Sequence, residues 1–593
     1  MKKDTGSKIK TKWNLAKYFY SGVKDPRFSK DVENIKRAYV QFEKKYKGRT
    51  DYLTSTPKLL QALKDSERLM TRANERPLLY LHYRTDLDSA DAEAEALSAK
   101  LSRELTEYGN RLVFFGLSLR KIPKAKQKQF LNDKRLARYH RELAEAFRLA
   151  PYDLSEPEEK ILNLTAQTRI SLWRQGMEKL QNKQIIYFDG KKLPLAKAIN
   201  SIPELPTKKR RELHKNICLR LREISDFAES ELNALYAGKY TQDKLRGFKT
   251  PYESSLIGHE IDEKTLKNLL VVVRQHQKLS HRFFALKKKF LGVPYLSYAD
   301  RGAAIGKIKK SFAFNKNFST LRKVLSDANP HLATIVETMG TNGQIDVYPR
   351  KGKTGGAYCS SSFKNPTLIL LNDVGSFASG TTLAHEMGHA IHSELSKIQP
   401  PMYQGYSTAV AETASTFFER MFFERVVSSF SEKERLVALH DSVKDSVGTI
   451  FRQIACFHFE QDLHKAVREK GFVQKEEIAE MMNKRMQGYL GPAVHLTEDD
   501  GYYFVWWSHI RHPGYVYTYA YGELLSSALY ERYCNGKISI NDIIQFFSLG
   551  DSMSPHELFK TVGIDTHKPE AFLDGMKRLE GALKELEKLA AKK

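Results

Sequence analysis

Thr381-Thr382-Leu383-Ala384-His385-Glu386-Met387-Gly388-His389-Ala390-Ile391-His392 is the stretch from which the rest of the chain is read. Leu383, Met387, Ala390, Ile391 and Leu395 recur at helical spacing and mark a helix with a buried face, which Pro400-Pro401 ends. Residues four apart lie about one turn above each other, so His385 and His389 aim two imidazoles at one point with Glu386 beside them. This is the H-E-x-x-H pattern of zinc hydrolases. Neutral imidazoles bind zinc at about 2.0–2.1 Å. A zinc-bound water is acidic enough to supply a nucleophile near neutral pH, and a neighbouring carboxylate takes its proton. Glu386 is the general-base candidate.

Catalytic zinc needs three protein ligands and an open position. A metzincin would carry Gly at 392 and a third His at 395, where this chain has His392 and Leu395, so the third ligand comes from elsewhere. Ser407 to Glu419 reads as a second helix on which Glu412, Ser415 and Glu419 share one face. Small residues flank Glu412 and let its helix approach the metal, which makes it the expected ligand. Glu419 is expected behind the ligands or in solvent, and His392 in the core or behind His389.

Around this centre lies a chain of 593 residues with a formal net charge of +26. The charge attracts polyanions or acidic peptides, but no nucleic-acid-binding motif accompanies it, so no specific nucleic-acid partner is expected. Cys218, Cys359, Cys456 and Cys534 show no C-x-x-C spacing and read as free thiols of a reducing compartment. There is no long apolar run and no apolar segment behind the charged start, so the expectation is a cytoplasmic protein without a membrane partner. Whether it is a monomer or a homodimer is not legible.

In chain order, the segments around 31–48, 57–75, 89–121, 128–149 and 156–181 have helical periodicity. Ile185-Ile186-Tyr187-Phe188 turning at Asp189-Gly190 reads as a hairpin, and Gly247 to Tyr252 as a break between helices. A boundary is placed near residue 200, giving an N-terminal helical lobe over 1–200 and a catalytic domain over 201–593. Ile345 to Tyr348 and Thr367 to Leu371 are strand-like, joined by Lys351-Gly352-Lys353-Thr354-Gly355-Gly356-Ala357-Tyr358. The paired glycines let a ligand approach the backbone, and an edge strand just before the His385 helix suits an extended peptide. The order of Lys353 and the glycines does not fit a phosphate loop. Near the C-terminus, His509 and His512 are followed by Tyr515, Tyr517, Tyr519 and Tyr521, a concentration of donors suited to an oxyanion.

Taken together, these motifs resemble oligoendopeptidase F of the thimet-oligopeptidase group of zinc metallopeptidases, nearly end to end. The resemblance rests on Trp13-Asn14-Leu15, Leu245-Arg246-Gly247-Phe248, Gly352 to Tyr358, Leu383 to His392, Ala411 to Phe417, His509 to Gly522 and Val562-Gly563-Ile564-Asp565. It implies a mainly α, two-lobed helical body enclosing a substrate channel, with a small β-sheet beside the zinc helix. It implies one Zn2+ per chain on His385, His389 and Glu412, with Glu386 as base and oligopeptides as substrates. His509 and Tyr515 match the oxyanion donors best, and Tyr517 and Tyr519 remain in register as alternatives. Gly355, Gly356, Ala357 and Tyr358 are the expected substrate contacts. The turn Asp373 to Gly380 is less acidic, and Ile510 to Gly514 less aromatic, than in the family. Those departures bear on substrate preference and leave the zinc ligands intact.

Overall fold

In the computed structural model, residues 9–592 are described. The helical periodicity becomes helix, broken where turn chemistry intervenes. The first long helix, Pro26–Tyr46, starts on an Asp25 cap whose side chain accepts from Arg27 N, with Pro26 at the first helical position. The segment read around 128–149 divides into Lys124–Asn132 and His140–Leu149, because Asp133 accepts from Arg135 N and starts a tight turn between them. The hairpin is present, pairing Ile185–Phe188 with Lys191–Pro194. Its turn residues Asp189 and Gly190 take positive φ of 52° and 71°, the conformation such a two-residue turn needs. Gly247 ends Ser225–Arg246 in the left-handed conformation, as the break predicted.

The chain folds as two compact units, each gathered from three stretches. The first takes the described residues up to Leu164, then Lys310–Arg425 and Gly536–Val562. The second takes Thr165–Lys309, Val426–Asn535 and the described residues from Gly563. The expected boundary near residue 200 falls inside one stretch of the second unit. Packing explains the interleaving of the first. Trp13 Nε1 donates to Gln344 O at 3.1 Å and Ile369 O at 2.9 Å. Phe19, Tyr20, Tyr80 and Tyr83 then pack in one apolar cluster with Leu368 and Leu370. Fully burying side chains of this size is worth about 1.5–3 kcal/mol each, so the N-terminal helices are held to a strand far away in the sequence.

In that unit a three-stranded sheet holds β1 (Ile345–Asp346), β2 (Tyr358–Ser360) and β3 (Leu368–Leu370) in the order β1-β3-β2. β3 is parallel to β1 and antiparallel to β2, with Cys359 opposite Ile369. β3, the strand just before the His385 helix, is therefore central and not the expected edge, because both of its sides are paired; the edges are β1 and β2, the latter lying in the connection. Lys353, in the same connection, is fully buried and pairs with Asp346 at 2.8 Å, while its Nζ also donates to Tyr348 O at 3.0 Å and to Leu371 O. Its charge satisfies strand-end carbonyls, which leaves it no part in phosphate binding. Two helices follow the sheet, α1 (Phe377–Ser396) and α2 (Thr408–Val427). In the second unit, α3 (Tyr517–Cys534) packs tightly on Glu570–Ala591. No helix among the described residues is long and apolar enough to cross a membrane.

Candidate metal centre

α1 begins on Ser376, whose hydroxyl accepts from Ser379 N, and buries Leu383, Met387, Ala390 and Ile391. The opposite face presents His385 and His389, half-buried, with ring centroids 5.1 Å apart. The two helices meet backbone to backbone at Gly388. A Cβ there would stand 2.6 Å from Ser415 Cα and 2.8 Å from Ala414 O. That contact brings Glu412 Oε2 to 3.3 Å from His385 Nε2 and 3.7 Å from His389 Nε2. Gly388→Ala overpacks this crossing by about 1–3 kcal/mol. Relieving the strain by separating the helices pulls Glu412 back, so metal affinity is expected to fall about tenfold or more. Competition with a chromophoric chelator measures it, and Gly581→Ala, with nothing near its Cβ position, serves as the neutral control.

The donor atoms of His385, His389 and Glu412 all lie within 4.8 Å of one another. Their surroundings hold them in place. Ser415 Oγ donates to Glu412 Oε2 at 2.9 Å, and Glu419 Oε2 meets His385 Nδ1 at 2.9 Å. A carboxylate on the far nitrogen of a ligating imidazole sets its tautomer and points Nε2 at the metal. Burial opposes a charge on His385, but hydrogen bonds to Glu412 and Glu419 outweigh it and raise its pKa well above the ordinary value. Burial lowers His389 to about 4. Glu412 falls to about 2, its own burial being overcome by the His385 hydrogen bond and the charges of both histidines. Two imidazoles, one carboxylate and an open side fit a divalent metal of catalytic type.

Glu386 is buried beside this group. Burial raises it to about 7; the His385 charge opposes the rise, Glu412 and Glu419 add to it, and a backbone hydrogen bond from Cys359 on β2 restrains it. His392 is entirely buried, stacked on Tyr406 at 3.7 Å between centroids, and neither ring nitrogen has a partner. It is a core residue.

The other expected contacts are distributed as follows. Gly355 and Gly356 are exposed, Gly356 at φ 78°, and Asn372 Nδ2 donates to the carbonyls of Thr354 at 2.9 Å and Gly356 at 2.8 Å, which fixes the loop. Ala357 is half-buried next to them. The Tyr358 hydroxyl donates to Asp86, which fixes the half-buried side chain.

His509 and Tyr515 belong to the second unit and are hydrogen-bonded to each other through His509 Nδ1 and the tyrosine hydroxyl. Burial, with Arg452 and His512 adding, lowers His509 to about 4, and burial raises Tyr515 well above its ordinary value. A neutral His509 either accepts at Nδ1 and keeps its proton on Nε2, or donates from Nδ1 and leaves the Tyr515 proton for another acceptor, so the pair can turn a donor outward from either residue. The alternating tyrosines divide into two pairs as α3 begins. Tyr515 and Tyr519 pack with tilted rings 5.7 Å apart beside His509, while Tyr517 and Tyr521, one helical turn apart, are buried. Tyr517 packs against Phe457 and is approached by Ser255 Oγ at 3.4 Å, which makes it a packing residue. Arg511 and Glu460, neither singled out from the sequence, clamp this segment. Arg511 forms a buried ion pair with Glu231 at 2.9 Å and donates to Phe504 O and Trp507 O; Glu460 accepts from Gly514 N at 2.8 Å. Glu231 lies far from Arg511 in sequence, and Gly514 far from Glu460, so no local spacing signals these two contacts.

The model of peptidase family M3 matches residues 207–578, and that of oligopeptidase F matches 119–177. Oligopeptidase PepF of Bacillus subtilis is 27% identical over 99% of this chain and 88% of its own length. Group B oligopeptidase PepB of Streptococcus agalactiae is 25% identical over 92% of each chain. The crystal structure of oligoendopeptidase-F from Enterococcus faecium superposes with a TM-score of 0.74 at 20% identity, over 96% of this chain and 99% of that one.

Proposed function

The chain belongs to peptidase family M3, and from that membership we propose a zinc-dependent endopeptidase that hydrolyses internal bonds of short, unfolded oligopeptides with Glu386 as general base. The observation that carries this reading is the convergence of His385 Nε2, His389 Nε2 and Glu412 Oε2 beside a buried Glu386. Zinc held there supplies a Lewis acid and a water acidified toward neutral pH. Glu386 takes the proton of the attacking water and returns it to the leaving amine, a transfer that a carboxyl raised toward neutrality by burial makes in both directions. The backbone of Gly355, Gly356, Ala357 and Tyr358, continuous with the outer strand β2, offers an extended peptide an edge to pair with. Four cysteines that form no disulfide support a cytoplasmic location.

Peptide turnover with the metal removed and returned tests the reading. Internal cleavage of short quenched fluorescent peptides is expected, lost on chelation and restored by zinc. Cleavage that survives complete chelation, or its absence from a zinc-loaded chain, overturns it.

His509 and Tyr515 are assigned as donors to the oxyanion, with Tyr519 packed beside them. Removing one such donor typically costs about 10²–10³ in kcat. Tyr515→Phe should lose that much with KM little changed. A rise in KM at constant kcat would show a contact made equally in the ground state.

A further inference from the structure

A second cluster of metal-binding side chains is buried in the second unit. Helix Thr207–Glu223 carries His214 and Cys218 one turn apart, and the 3-10 turn Glu498–Val505 brings Asp500 to them. Their relative exposures are 6%, 2% and 5%. His214 Nε2 lies 2.6 Å from Asp500 Oδ1 and 3.4 Å from Cys218 Sγ, and the three donor atoms lie within 4.8 Å of one another. A catalytic relay of thiol, imidazole and carboxylate would use opposite ring nitrogens. Here both neighbours converge on Nε2, an arrangement that a cation in place of the Nε2 proton can use.

The surroundings are built in the same sense. Asp500 Oδ2 accepts from Thr497 N at 2.7 Å and Thr497 Oγ1 at 2.9 Å, so the backbone orients the carboxylate and leaves Oδ1 directed at His214. Tyr503 stacks on the imidazole, with centroids 5.4 Å apart and planes 16° from parallel. Its hydroxyl is buried without a partner, as is His214 Nδ1. A cation on Nε2 leaves the ring proton on Nδ1, and both orphaned atoms suit a buried water rather than the ion itself. A thiolate, a carboxylate and a neutral imidazole also balance a divalent charge, so the ion would be buried without net charge.

We propose that His214, Cys218 and Asp500 bind a second divalent ion, zinc by the softness of the donor set, which clamps the 207–223 helix to the 498–505 turn. Cobalt separates this site from the first, because His385, His389 and Glu412 include no sulfur. Loading the metal-free full-length chain with Co2+ is expected to take up two ions per chain and to show a thiolate-to-cobalt charge-transfer band in the near ultraviolet. Cys218→Ser should abolish the band and reduce uptake to one ion, while Cys359→Ser and Cys456→Ser keep both. No band at saturating cobalt, or a band that survives Cys218→Ser, overturns the proposal. Should Cys218→Ser not fold, zinc X-ray absorption on the Cys359→Ser chain decides. A sulfur shell at about 2.3 Å supports the site, and a shell of nitrogen and oxygen alone overturns it.

Discussion

Glu386→Gln is expected to keep its metal and lose turnover by about 10²–10⁴, the usual contribution of a positioned general base. The amide matches the carboxylate in shape, so α1 retains its packing and His385, His389 and Glu412 their positions. What it lacks is a basic oxygen. The site also shows why no neighbour replaces it. His385 has Glu419 on Nδ1 and Glu412 at Nε2, and Glu412 itself is held near pKa 2, too weak a base for the task. A neutral amide is no harder to bury than this carboxylate, which burial already raises to about 7, so thermal stability should not fall. The check is kcat on quenched peptides with zinc content measured in the same sample. Near-normal turnover at full metal loading would sink the assignment of Glu386; lost turnover with lost metal would mean that the substitution damaged the ligands.

How far the centre was legible depends on how local each signal is. His385, Glu386 and His389 are fixed by helical spacing within five residues, and the structure places them as that spacing requires. Glu412 and Glu419 were legible as one face of one helix. Which carboxylate would reach which side of His385 depends on the rotation of α2 against α1, and the Gly388 contact sets that rotation. β2 went unread because three residues next to a glycine pair are too few to show alternation. The alternating tyrosines run into a helix start, with Tyr515 just before α3 and Tyr517, Tyr519 and Tyr521 on it, and the period of two arises from two interleaved pairs with different surroundings. The interleaved units were illegible for a related reason. Turn residues mark where helices end, whereas the bonds of Trp13 to Gln344 and Ile369 depend on chain segments that local sequence does not relate.

Because two carboxylates flank His385, paired substitutions resolve their roles. Glu412 Oε2 faces both Nε2 atoms, at 3.3 and 3.7 Å, and Ser415 steadies it from behind. Glu419 Oε2 is on the opposite side of the His385 ring, 2.9 Å from Nδ1, and touches neither Nε2. Glu412→Gln removes a charged donor from the metal itself, whereas Glu419→Gln removes only the acceptor that fixes one imidazole. Loss of such an outer partner costs about 10–100-fold in metal affinity or activity. Glu419→Gln should fall within that range and recover turnover when zinc is raised. Glu412→Gln should exceed it, holding no stoichiometric zinc and recovering little turnover, because two imidazoles alone leave the ion without the anionic ligand that fixes it. Zinc affinity by chelator competition, read beside kcat at saturating zinc, distinguishes the two. If Glu419→Gln proved the more damaging, Glu419 would be the ligand and α2 would have to rotate on metal binding. That rotation would need Gly388 to leave its contact with Ser415, so the Gly388→Ala variant would then bind zinc no more weakly than the unsubstituted chain.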